Sequence, residues 1–99
     1  MNDISKVSEI TPADVWEYLN PSEEMDSSSE TTINNLIGIA TAFIKNWTGQ
    51  EDLDTYQEFV DVVFVLCQDM WDNRTLYVDK SNLNKVVESI LGLHQVNLL

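Results

Sequence analysis

The stretch TYQEFVDVVFVLCQDMWDN, residues 55–73, decides the fold of this chain. Its valines are β-branched, so a buried strand is one interpretation. Length and spacing favour a helix instead, because apolar side chains recur at intervals of three and four over more residues than a typical strand contains. These side chains are Tyr56, Phe59, Val63, Cys67, Met70 and Trp71. We therefore predict a helix over roughly residues 55–73.

The apolar surface of this predicted helix is wide. It covers an arc of about 200°, whereas a surface helix needs a stripe of roughly 100°. Val65 falls outside even this arc, beside acidic side chains such as Asp61 and Asp69. A chain this short has few elements that could cover such a helix. We therefore expect the helix to be central and part of its surface to contact another subunit. Val62 and Val65 are the candidates for that contact.

Two further helices are predicted before it. The first follows Thr11, a capping residue toward which the Asp14 carboxylate can reach back, has Pro12 at its first position, and ends at Asn20-Pro21. The second starts near residues 30–32 with an apolar stripe at helical spacing, and Gly49 ends it. Residues 20–30 between them carry acids and serines, and we expect a flexible acidic loop.

One more helix is predicted near the C-terminus. Ser81 or Asn82 caps it, and Gly92 ends it. Its inward side chains are expected to be Leu83, Val86, Val87, Ile90 and Leu91. Residues 93–99 lack a helix-length pattern and are expected to form an arm. The prediction is an all-α bundle of about four helices, a single domain over residues 1–99.

The charge of the chain limits its partners. Seventeen acidic residues against five basic ones give a net charge of -12, which disfavours binding to DNA phosphates or to anionic membranes. The only cysteine, Cys67, lies in an apolar run and is expected to be a buried hydrophobe in a reducing cytosol. The N-terminus has no signal pattern, and no apolar run is long enough to cross a bilayer.

The residues needed for catalysis are scarce. A single histidine, His94, gives no zinc cluster, and no nucleophile turn accompanies it for a catalytic triad. The three glycines form no phosphate-binding pattern. Asp52, Asp54 and Glu58 lack the glycine and the distal glutamate of a calcium loop. We therefore expect neither an enzyme nor a bound metal or cofactor.

Four short motifs carry a resemblance when they are taken in order. They are the opening helix of residues 10–19, the step Trp47-Thr48-Gly49, the group Trp71-Asp72-Asn73-Arg74, and the closing Ile90-Leu91-Gly92-Leu93. This ordered set resembles the small head–tail connector (head-completion or adaptor) proteins of long-tailed bacteriophages and prophages. The chain departs from their pattern at His94, where an arginine is common, and in its longer acidic loop.

The resemblance implies a helical subunit of a homo-oligomeric ring at the virion head–tail junction, assembled in the host cytoplasm. The ring would lie beneath the portal protein, extend the DNA channel and seat the next neck or tail-completion protein. Such a ring carries on the order of a hundred negative charges, which would let DNA pass without binding.

The resemblance also suggests roles for individual residues. Arg74 is expected to bind the carbonyl end of the third helix or a carboxylate of a neighbouring subunit. The candidates for docking on the portal or adaptor are Val96, Leu98 and Leu99, although a disordered terminus is an equal alternative. The candidates for channel or rim carboxylates are Glu23, Glu24, Asp26, Glu51, Asp52 and Asp54, although plain solubility is the commoner role of such residues.

A different class of protein also fits the charge and the size. An acidic DNA mimic would occupy the DNA-binding groove of a host defence nuclease. Its carboxylates should follow a duplex backbone along regular elements. In this sequence the acidic residues concentrate in predicted loops and in the N-terminal third, which favours the connector.

Overall fold

The computed structural model describes residues 4–96 and confirms the all-α prediction. Within that range there are helices and turns but no strand. The four helices are α1 (Pro12–Leu19), α2 (Ser27–Thr48), α3 (Glu58–Asn73) and α4 (Lys85–Leu93). Short 3-10 turns cover Val7–Glu9, Leu53–Thr55 and Lys80–Asn82.

The start of α1 is the capping box that the sequence predicts. The Asp14 backbone N–H donates to the Thr11 hydroxyl at 3.3 Å, and the Thr11 backbone N–H donates to the Asp14 carboxylate at 2.9 Å. These two bonds satisfy donors that a helix N-terminus otherwise leaves unpaired. At the other end Asn20 takes a left-handed conformation with φ of 51° and stops the helix.

α2 begins at Ser27, three residues before the earliest start that the sequence predicts, residue 30. The Asp26 carboxylate accepts the Ser29 backbone N–H at 2.7 Å and caps the helix. The three serines that the sequence analysis assigned to the loop therefore form the first turn of α2. A solvent-facing first turn needs no apolar side chain, so apolar periodicity marks only where the helix meets the core. The prediction of a loop over residues 20–30 is wrong for residues 27–30.

α3 is the centre of the core, as its wide apolar surface predicts. Helices α1, α2 and α4 and the turn Val7–Glu9 all contact it. Tyr18 of α1 stacks on Phe64 with 5.1 Å between ring centres, and Trp16 meets Trp71 edge-on at 5.6 Å. The side chains of α3 buried in this way are Phe59, Val60, Val62, Val63, Phe64, Leu66, Cys67 and Met70.

This burial corrects one part of the prediction. A single protomer covers almost the whole apolar surface of α3, because four separate elements pack around it. Val62 is 0% exposed, so the prediction that it offers a contact surface to another subunit is wrong. Val65, about one turn further along the same side of the helix, remains partly exposed.

α4 starts and ends later than predicted. Asn84 caps it, accepting the backbone N–H of Val86 at 2.8 Å, whereas Ser81 and Asn82 lie in the preceding 3-10 turn. Gly92 lies within the helix and does not end it. The helix directs Val87 and Leu91 into the core, so the prediction that Val86 points inward is wrong: Val86 is 67% exposed.

The step Trp47-Thr48-Gly49 ends α2 as predicted. Gly49 has a φ of 75°, a left-handed conformation that favours glycine, and its backbone N–H donates to the Lys45 carbonyl at 2.8 Å. The buried Thr48 hydroxyl donates to the Ile44 carbonyl at 2.7 Å. A Cβ atom at Gly49 would also lie 3.4 Å from the Val96 side chain.

Exchanging two glycines for alanine should have opposite effects on stability. We expect Gly49→Ala to lower the free energy of unfolding by about 1 kcal/mol or more, because alanine is strained in the left-handed region. Gly38→Ala is the matched control: Gly38 lies inside α2 with open space around its Cα, and alanine should raise stability by about 0.5 to 1 kcal/mol. Urea denaturation measures the free energy of unfolding of both variants. A Gly49→Ala variant as stable as the wild type would contradict the left-handed helix end at Gly49.

Candidate interaction surfaces

An apolar groove of about 250 Å³ runs between α3 and α4. Val65 and Ile90 form its walls, and the buried Val62 and Val87 form its floor. Asp61 supplies a carboxylate at the α3 side. Of the predicted contact residues, Val65 therefore lies at an open apolar surface, and Val62 only underlies it.

α4 extends this apolar surface with a stripe of its own. Val86, Ile90 and Leu93 are four and three residues apart, so they lie on one side of the helix. Val86 is 67% exposed, Leu93 is 74% exposed, and Ile90 is partly buried. The sequence predicts Val86 and Ile90 on the inward side of the helix. Ile90 does pack against the core, but Val86 lies outside it, so this stripe was not predicted. The helical spacing of Val86, Ile90 and Leu93 in the sequence was a signal of this stripe. The predicted end of the helix at Gly92 left Leu93 outside it.

The exposed face of α3 carries carboxylates on both sides of Val65. They are Glu58, Asp61, Asp69 and Asp72, and all four side chains are exposed. Loss of hydration, followed by the negative charge of Asp72, raises the pKa of Asp69. The neighbourhood of the groove on α3 is therefore acidic.

The six predicted channel or rim carboxylates fall into two separate groups. Glu51, Asp52 and Asp54 line one depression of about 360 Å³, together with Lys45. Glu23, Glu24 and Asp26 precede α2 in another connection and are exposed. Within residues 4–96 the six do not form one continuous site.

Three of these six carboxylates have local structural roles. Asp26 caps α2, and Asp52 accepts the Asp54 backbone N–H at 2.9 Å. Asp54 accepts the Ser8 hydroxyl at 2.6 Å and the Ser8 backbone N–H at 2.9 Å. These bonds from Ser8 lower the pKa of Asp54, and the bonds from Ser29 lower the pKa of Asp26. Both groups therefore stay negatively charged at neutral pH.

Arg74 closes the carbonyl end of α3, and it does so through its backbone. In a left-handed conformation with φ of 53°, it donates its backbone N–H to the Trp71 carbonyl at 3.3 Å. Its guanidinium lies 4.8 Å from the centre of the Trp71 ring. A contact between Arg74 and a neighbouring subunit stays a prediction.

The connection between α3 and α4 exposes two large apolar side chains. Leu76 is 64% exposed and Tyr77 is 62% exposed, between the cationic residues Arg74 and Lys80. The Lys80 ammonium lies 4.9 Å from the centre of the Trp47 ring on α2. We name residues 74–80 the basic segment.

The start of the predicted C-terminal arm is attached to the α2–α3 corner. The Val96 backbone N–H donates to the Thr48 carbonyl at 2.6 Å, and the Gln50 amide donates to the His94 carbonyl at 2.9 Å. The His94 ring stacks on Tyr56 at 3.8 Å and contacts the Glu58 carboxylate at 2.8 Å. Residues 94–96 are thus packed against the protein. The other two docking candidates, Leu98 and Leu99, lie outside the described residues.

The described residues offer little else that resembles a chemical site. Between residues 4 and 96 no three His, Cys, Asp or Glu side chains lie close enough to hold a metal ion. Burial raises the pKa of the Cys67 thiol to about 12, so the thiolate form is scarce at neutral pH. None of the helices in this range is both long and apolar enough to cross a bilayer. Comparisons of the chain with protein-family profiles, with curated proteins and with solved structures found no match.

The hydrogen bonds from Ser8 to the Asp54 carboxylate should make the free energy of unfolding depend on pH. Because the folded-state pKa of Asp54 lies below its ordinary value of 3.8, the ionised carboxylate stabilises the fold above that pH. This contribution is lost as the pH falls through the folded-state pKa. We expect Asp54→Asn to be less stable than the wild type at pH 7 and the difference to shrink below about pH 3.8.

Denaturant titrations at a series of pH values measure this difference. Glu51→Gln is the matched control, since Glu51 is an exposed neighbour in the same depression. An Asp54→Asn deficit that is equal at pH 7 and at pH 2.5 would contradict the role of the carboxylate.

Proposed function

We propose that this chain is a subunit of a ring at the head–tail junction of a long-tailed phage or prophage. The observation that carries the proposal is the apolar groove at Val65, which the fold of one protomer leaves open beside the exposed Val86. An exposed apolar surface is typical of a contact with another protein, and a ring subunit needs such a contact with its neighbour. The ordered motifs, which resemble those of small head–tail connectors, support the same function.

The charge supports the proposed place around a DNA channel. A net charge of -12 per subunit repels DNA phosphates, so DNA can slide past without being held. Glu23, Glu24 and Glu51 are exposed, and the hydrogen bonds that Asp26 and Asp54 accept lower their pKa further below neutral pH. In this proposal these carboxylates line the channel or its rim.

The remaining parts of the proposal concern the partners. The ring would lie beneath the portal protein and seat the next neck or tail-completion protein, after assembly in the host cytoplasm. The arm around Val96 would dock on the portal or adaptor, with its direction set by the attachment to Thr48. The subunit would act structurally and catalyse no reaction.

A DNA mimic is the second candidate, and the acidic face of α3 favours it. A mimic of a DNA backbone needs carboxylates along a regular element, and α3 carries four of them. The sequence had instead indicated that the acidic residues lie mainly in loops. The spacing of the four carboxylates is less suitable. From Glu58 to Asp72 the successive axial steps are about 4.5, 12 and 4.5 Å, whereas one DNA strand carries a charge every ~3.4 Å. Val65 and Gln68 interrupt the row.

Two measurements on the purified protein separate these functions. Light scattering with electron microscopy should show annular particles for a connector, alone or after addition of the portal protein. A mimic should stay small and block cleavage of DNA by a defence nuclease. A small particle that does not join the portal protein and inhibits a nuclease would overturn the connector proposal.

A charge placed in the groove should separate folding from assembly. We expect Val65→Glu to leave the helical circular dichroism spectrum unchanged, because Val65 is partly exposed. The same substitution should abolish the annular particle expected of a connector. Asn35→Glu on α2 is the matched control, because it adds the same charge at an exposed position outside the groove and should assemble normally. If Val65→Glu still assembled like the wild type, the groove would not be the subunit contact.

A further inference from the structure

The groove between α3 and α4 is a poor partner for a second copy of itself. Asp61 lines the groove, and Glu58, Asp69 and Asp72 lie on the same exposed face of α3. Two such grooves placed face to face would bring these acidic faces together, in a chain whose net charge is already -12. Like charges opposed across an interface are destabilising. A contact between copies therefore needs a different surface opposite the groove.

The basic segment has the properties that the groove requires. Leu76 and Tyr77 are among the most exposed large apolar side chains of the described residues, and both lie in this segment. Arg74 and Lys80 beside them are two of only five Lys and Arg residues in the whole sequence. The segment also contains one carboxylate, Asp79, which accepts the Ser81 backbone N–H and the Asn82 amide. Its apolar side chains suit the valine-lined groove, and its two cations suit the acidic face of α3.

The basic segment is also held in shape before any partner arrives. Thr75 donates its backbone N–H to the Met70 carbonyl at 3.0 Å. At the other end the Asn82 amide donates to the Asp79 carboxylate at 2.8 Å, and Lys80 lies over Trp47. A segment that is already ordered loses less conformational entropy when it docks.

Leu76 and the groove are on separate surfaces of one protomer. Leu76 lines a depression with Trp71 and Thr32, and this depression shares no lining residue with the groove. Tyr77 lies nearer to the acidic face of α3, since it lines a further depression with Asp69, but this depression also shares no lining residue with the groove. The groove and the basic segment of one protomer can therefore each contact a different neighbour. A contact between two different patches repeats from copy to copy and closes into a ring when the rotation permits, whereas two identical patches give only a pair.

We propose that the basic segment of each copy docks in the α3–α4 groove of the next copy. The inference rests on the proposed function, because it supplies the contact between neighbouring ring subunits. Leu76 and Tyr77 pack against Val65, Val86 and Ile90. Arg74 and Lys80 face the carboxylates on the exposed side of α3.

Complementation between two defective variants tests this contact. Val86→Glu spoils the groove and leaves the basic segment intact, whereas Leu76→Glu with Tyr77→Glu spoils the segment and leaves the groove intact. All three side chains are more than half exposed, so circular dichroism should show folded variants. Ala42→Glu, at an exposed position on α2 outside both surfaces, is the control for added charge and should assemble as the wild type does.

Sedimentation analysis of each variant and of their mixture gives the result. We expect each variant alone to be monomeric, and an equimolar mixture to form one-to-one pairs and nothing larger, because the mixture contains one intact contact. A mixture that stays monomeric while the wild type forms rings would overturn this contact and leave the ring proposal standing. A wild type that never self-associates, alone or with the portal protein, would overturn both.

Discussion

Burial of α3 within a single protomer is the constraint on which the rest of this structure depends. Each large aliphatic or aromatic side chain withdrawn from water contributes about 1.5 to 3 kcal/mol, and α3 buries a continuous series of them from Phe59 to Met70. The other elements are placed by their contact with this helix. α1 packs on it through two aromatic pairs, and α2 and α4 cover further sides. Because four elements of one chain cover α3, the core needs no neighbouring subunit.

What the core leaves uncovered then limits how copies can meet. α3 exposes one narrow face, where carboxylates lie on both sides of Val65, and α4 continues that surface with Val86 and Leu93. In the contact that we propose, apolar side chains draw a partner to this place, while the acidic side chains select one that carries positive charge. The negative charge that would suit a DNA channel would also restrict which surfaces of two copies can pair.

Local signals in the sequence predict local structure well. The capping box at Thr11 and Asp14 and the left-handed Gly49 depend on a few neighbouring residues, and both occur as predicted. The predicted starts of α2 and α4 were wrong. The first turn of α2 is polar and so shows no apolar periodicity, and several residues near residue 82 could cap α4. Coverage of α3 was underestimated, since the number of elements that pack around a helix is a tertiary property. The arm attached at Thr48 was missed for the same reason, as its bonds join residues far apart in the chain.

The most direct test of this account is the state of the protomer once the proposed ring has been taken apart. The protein can be diluted until sedimentation shows monomers only, and its helical circular dichroism and tryptophan emission then compared with those of the assembled form. Because α3 is covered within one chain, the account predicts a monomer with unchanged helical signal and cooperative unfolding. Loss of helical structure in step with dissociation would contradict it, since the core would then depend on neighbouring subunits.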